Sequence, residues 1–156
     1  MEDSKNLSVR FKEVLFHGTW VANTNYRAQL ENLDWQTATT HIADLNSIAA
    51  LTQHINYYIK GVNQVFDGGQ LEIRDTYSFD FPEVTSQEQW KTILNEFWKN
   101  ANDFASYIEA LSEEKLATHF VDKKYGSYLR NVEGMIEHCY YHLGQIVLIK
   151  KMLQKQ

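Results

Sequence analysis

Proline occurs once in this chain of 156 residues, at Pro82. Helix interiors exclude proline, so its absence on either side leaves room for long helices, and its central position marks a break between them. Cysteine is also single, at Cys139, which rules out an internal disulfide and any need for an oxidising compartment. No stretch approaches 18 uninterrupted apolar residues, the length a membrane-spanning helix requires. The opening M-E-D-S-K-N-L-S has no basic segment followed by an apolar run, so no signal peptide is expected and a cytoplasmic location is. Positive charge is scarce as well: 15 Lys and Arg stand against 20 Asp and Glu, a net charge of −5. Without a basic patch there is no footprint for a phosphate backbone, so nucleic acid is excluded as a partner and a small molecule is favoured.

What the chain has in quantity is aromatic and aliphatic side chains at helical spacing, with four Trp, nine Tyr and eight Phe. The length fits a single domain, residues 1–156, with a sizeable core. Apolar residues from Phe11 to Leu30 predict a first helix over Leu7–Leu33, after which Asp34 can cap a turn or a further helix. Leu45, Ile48, Leu51, Ile55, Ile59, Val62 and Phe66 predict a second, starting near Ala38 or Ala43 and stopped by Asp67-Gly68-Gly69. Residues 70–85 form a long connection, in which Tyr77, Phe79 and Phe81 alternate but Pro82 argues against a strand. Ser86 and Gln89 have the spacing of a capping box, and Trp90, Phe97, Trp98, Phe104 and Leu111 continue a third helix as its core stripe. Residues 112–116 suit a turn or short helix, and residues 119–128 a small hairpin or loop. A fourth helix runs from near Ser127–Asn131 to Leu153. The expected fold is all-α, a four-helix bundle with a long connection between its second and third helices.

The last helix contains M-I-E-H-C-Y-Y-H-L-G-Q-I-V-L-I-K-K, with His138 and His142 four residues apart. At about 100° per residue, Asn131, His138, His142 and Gln145 share one face, whereas Glu137 and Cys139 point about 100° away. Aligned polar groups on the inner side of a bundle need partners, and a metal ion would serve two imidazoles at once. His54, on the inner flank of the second helix beside Tyr58, is the candidate third imidazole. Three neutral imidazoles leave a coordination position open, as catalytic zinc sites do. Spacing alone equally permits core histidines hydrogen-bonded to tyrosines. His41 is expected to cap or face solvent, His119 to lie exposed in a loop, and His17 to approach the site only as a minor candidate. Cys139 is read as a small buried hydrophobe rather than a ligand. Trp20, Tyr26, Tyr57 and Tyr58 suit the core or the mouth of the pocket.

The H-x-x-Y-H-L-G-Q-I pattern in the last helix, with N-S-I-A-A-L-T-Q-H-I-N-Y-Y in the second, resembles the DinB/YfiT-like superfamily of four-helix-bundle metalloproteins, and the resemblance covers most of the chain. It implies a divalent metal, nickel or zinc, on His54, His138 and His142, beside which the helix face places Gln145 and Asn131, with Tyr58 and Trp20 as candidates for the pocket. It implies further a transferase in which the metal activates a low-molecular-weight thiol toward an electrophile, and a homodimer. Two alternatives stay open: a hydrolase using metal-bound water, and a non-catalytic, stress-related or dimeric interaction protein with a structural or vestigial site. Hydrolysis lacks an obvious general base, because Cys139 stands where zincins carry Glu and Glu137 points away. Gln145 and Asn131 can orient a ligand by hydrogen bonds but cannot take a proton near neutral pH.

Overall fold

The computed structural model describes residues 3–154, which form seven α-helices and no strand among the described residues. These are α1 (Ser4–Lys12), α2 (Tyr26–Leu30), α3 (Trp35–Thr39), α4 (Ile48–Phe66), α5 (Gln87–Ala110), α6 (Glu113–Ala117) and α7 (Tyr128–Leu153). A π-helical turn, Glu13–His17, extends α1. The long elements close a ring: α1 packs on α5 and α7, and α4 packs on the same two helices from the other side. This is the expected all-α bundle. No described helix is long and apolar enough to cross a membrane.

Two expected helices are shorter than their periodicity suggested. The Leu7–Leu33 helix ends at Gly18, where the backbone becomes extended (φ −84°, ψ 155°). A Cβ on Gly18 would lie 1.7 Å from Glu13 Cγ, so glycine lets the Glu13 side chain fold across the helix end. Glu13 Oε1 then accepts the Trp20 N–H at 3.2 Å. The chain reverses through Asn23 in the left-handed region (φ 56°) and restarts at α2, capped by Asn25. The second helix likewise begins at Ile48, capped by Ser47, not at Ala38 or Ala43. Upstream, Asp34 caps the separate helix α3. At its end the Thr39 and Thr40 hydroxyls bond back to the Trp35 and Gln36 carbonyls, offering the chain an alternative to further helix.

The other boundaries follow sequence signals. Gly68 adopts φ 86° just past α4. Ser86 accepts the Gln89 N–H at 3.2 Å, but Gln89 Oε1 returns to the Thr85 N–H at 2.7 Å, one residue upstream of the usual capping-box partner. Residues 118–127 form a loop pinned by one antiparallel bridge, His119 to Ser127, and not a hairpin of strands. The core is built on Phe11, Tyr26, Trp90, Phe97 and Phe104, all fully buried. Phe11 meets Phe104 edge-on at 4.7 Å between ring centroids, and Tyr26 meets Phe97 at 5.6 Å.

The 67–86 connection determines what surrounds the histidines. It carries a 3₁₀ turn at Asp75–Tyr77 in place of an extended segment. Tyr57 on α4 grips it twice, accepting the Arg74 N–H at 2.9 Å and donating its hydroxyl to the Arg74 carbonyl at 3.2 Å. Ile73 lies so close to α4 that a Cβ on Gly61 would sit 2.2 Å from its Cγ2. Glycine in mid-helix costs roughly 0.5–1 kcal/mol relative to Ala, and here it permits that close approach.

Candidate metal centre

His54 on α4 and His138 and His142 on α7 meet where these two helices pack, with candidate ligand atoms all within 4.8 Å of one another. His54 and His142 are buried and His138 is half-buried. His138 Nε2 lies 3.2 Å from His54 Nε2 and 2.9 Å from His142 Nε2.

The outer nitrogens explain what the inner ones present. His54 Nδ1–H donates to the Ser78 carbonyl at 3.1 Å, and His142 Nδ1–H donates to Gln145 Oε1 at 2.6 Å. Carbonyl oxygens only accept, so in each neutral ring the proton sits on Nδ1 and Nε2 turns a lone pair inward. His138 has at most one proton on Nε2 and faces two such lone pairs. It can satisfy only one of them. A cation in the middle satisfies all three, and imidazole is a ligand for zinc, nickel and related ions. Ligands at about 2.0–2.1 Å in a tetrahedral shell are about 3.3 Å apart, close to the two separations seen. The residues present therefore fit a divalent metal.

The electrostatics agree. Burial, followed by proximity to His142 and His54, holds His138 down to about 4. Burial also lowers His54, against the opposing Ser78 bond, and lowers His142, against the Gln145 bond. All three are thus kept in the neutral, ligating form. In metal-free protein, His138 takes up its proton in the unfolded chain near pH 6.5 but in the folded one only near pH 4. The unfolded state binds more protons between those values, so stability present above about 6.5 is lost as pH falls toward 4. The unfolding midpoint of metal-free protein is expected to drop more between pH 7 and pH 5 than that of His138→Asn; equal drops would contradict the assignment.

Aromatic rings wall the site. Phe79 stacks on His54 at 4.1 Å between centroids, 11° from parallel. Tyr58 stands edge-on to both His54 and His138 at 5.1 Å. The Tyr58 hydroxyl donates to Asp75 Oδ1 at 2.6 Å, and burial together with that bond pushes its pKa up to about 12. On one side a cavity of about 550 Å³ reaches His138, lined by Tyr58, Asp75, Arg74, Arg130, Asn131 and apolar residues.

The sequence-predicted residues divide clearly. Gln145 orients His142, and Tyr58 packs on two of the imidazoles. Asn131 lines the cavity, but its amide bonds the Tyr125 and Ser127 carbonyls at the start of α7. Trp20 is a correction: it is 89% exposed and borders a different cleft, with Arg10, Glu13 and Tyr140. The break at Gly18 carries it away from the bundle interior. His17 and His119 are exposed and outside the cluster, while His41 Nδ1 meets the Leu45 carbonyl at 3.0 Å. Cys139 is fully buried, and burial pushes its thiol up. Sequence reasoning did not find Asp75, Ser78 or Phe79. They lie in an irregular connection where no periodicity marks an inward position, and alternation in Tyr77, Phe79 and Phe81 was the only available cue.

Residues 20–146 match the DinB superfamily. No curated protein and no solved structure matches the chain. With an all-helical bundle, and with most of its length covered by that match, the chain belongs to the DinB superfamily.

Proposed function

We propose that this protein is a metal-dependent transferase that activates a low-molecular-weight thiol, with nickel or zinc held by His54, His138 and His142. The observation that supports this best is the convergence of three neutral imidazoles, two with Nδ1 fixed outward, beside a cavity large enough for a substrate. Bound there, a divalent ion would deprotonate a coordinating thiol near neutral pH. The chain's own residues do the rest. Ser78 and Gln145 hold two rings in orientation, as outer partners of metal ligands do. Phe79 covers one face of His54 and shields it from water. The cavity beside His138 holds the electrophile, and the proton of a coordinated thiol passes to solvent.

Hydrolysis is a second reading, now favoured by a specific observation. The general base that the sequence lacked has a candidate in Asp75, which shares the cavity with His138. One variant separates the two. A general base contributes about 10²–10⁴-fold to rate, so hydrolysis in Asp75→Asn should fall by that much. Thiol transfer, whose nucleophile is activated by coordination, should change only severalfold. A panel of thiols with electrophiles, run beside ester and amide substrates on wild type, Asp75→Asn and His54→Ala, makes the comparison. Turnover that survives His54→Ala, or none across the panel, would count against both readings.

A further inference from the structure

We propose that the cavity beside His138 binds an apolar monocarboxylate, an inference that rests on the three-His site being the reactive centre. The cavity, about 550 Å³, has the size of a small-molecule site. Val62, Leu71, Ile73, Phe120 and Met135 form its apolar wall. Gly134 contributes no side chain to this lining, and a Cβ there would lie 3.6 Å from Arg130 Nη1.

Charged groups share the lining. Arg74 and Arg130 both line the cavity, with Asp75 as the one carboxylate among its lining residues. Asp75 is occupied by the Tyr58 hydroxyl. Arg130 meets Glu137 at 3.1 Å, but both side chains are more than half exposed, and such pairs exchange readily for another anion. Arg74 is held in place through its backbone by Tyr57, while its guanidinium has no ion pair among the described residues. With neutral histidines, the lining itself carries two guanidinium groups against one carboxylate, and Glu137, the partner of Arg130, stands outside it.

These features select a ligand class. The apolar wall takes a hydrocarbon or aromatic body, and guanidinium groups match a carboxylate in planar, paired hydrogen bonds. Asp75 offsets one of the two guanidinium groups, so the charge left on the lining balances a monoanion rather than a dianion, which disfavours phosphate or phosphonate esters. The same two cations repel amines. A monocarboxylate docked by Arg74 and Arg130 would lay its apolar body along α4 and α7 toward His138.

The test uses the full chain in metal-free form, so that a carboxylate cannot simply ligate an ion. Backbone amide shifts are followed on titration with 3-phenylpropionate, 3-phenylpropan-1-ol, 3-phenylpropylamine and 2-phenylethylphosphonate. Hydrogen bonds to a charged group are worth about 1.5–3 kcal/mol, roughly tenfold or more in affinity. The propionate should therefore bind at least about tenfold tighter than the alcohol, shifting Ile73, Arg74, Arg130 and Gly134. Arg74→Gln/Arg130→Gln should bring it down to the level of the alcohol, and Gly134→Leu should weaken both probes. Equal affinity for acid and alcohol, tighter binding of amine or phosphonate, unchanged binding in the double variant, or no saturable shift would each overturn the proposal. Because no metal is present, loss of this site and loss of the metal site are read separately.

Discussion

Metal affinity is expected to fall by more than about 100-fold in His142→Ala, and by about 10–100-fold in Gln145→Ala. The two variants differ in what they remove. His142 supplies a lone pair directly, whereas Gln145 only fixes, at 2.6 Å, which nitrogen of His142 carries the proton. Without Gln145 the ring remains but its tautomer and rotation are free, so part of the affinity survives. His54→Ala should match His142→Ala in size, because burial and the Ser78 bond hold it in the same way. His17→Ala is the control: it is exposed and outside the cluster, and should change nothing. Competition against a chelating dye measures all four. A ranking in which Gln145→Ala is as damaging as His142→Ala, or in which neither has an effect, would break the link between geometry and ligation.

Trp90→Ala should destabilise the fold by about 3–5 kcal/mol, the range for deleting a large aromatic side chain from a packed core. Trp90 is fully buried on α5 and donates its indole N–H to the Leu33 carbonyl at 2.9 Å, tying the segment after α2 to the bundle. Ala would leave both a cavity and an unpaired buried carbonyl. Trp90→Phe keeps most of the volume and loses the hydrogen bond, so it should cost visibly less. Against a total stability of about 5–15 kcal/mol, the Ala variant stands near the edge of folding. Urea unfolding monitored by circular dichroism gives the numbers. A cost under about 1 kcal/mol for Ala would mean that α5 does not anchor the core as the structure indicates.

The histidine trio was legible in sequence because two of its members lie at a helical i, i+4 spacing, which geometry converts directly into a shared face. His54 was legible for a related reason: α4 has a regular apolar stripe, and His54 sits on its flank. The helices that broke early lacked any such mark. A 3-4 periodicity continues through Gly18 and Thr40, yet Glu13 folding over Gly18 and threonine hydroxyls returning to the backbone end the helices there. Those are local competitions between side chain and backbone, which apolar spacing does not register. Trp20 was misplaced by the same effect, since a place near the pocket presumed that the first helix runs unbroken past Gly18. The walls of the site were hidden for another reason. Asp75, Ser78 and Phe79 reach the histidines through a connection whose path is decided by Tyr57 gripping Arg74 and by Ile73 lying against Gly61. Both are tertiary contacts with no sequence period.

The most direct measurement is the metal content of untagged protein, by elemental mass spectrometry, before and after equilibration with nickel and with zinc. The geometry of His54, His138 and His142 predicts about one ion per chain, a single site with an open position, and none in His138→Ala/His142→Ala. Wild-type protein that holds no ion after equilibration with either metal, or a double variant that holds as much as wild type, would contradict it.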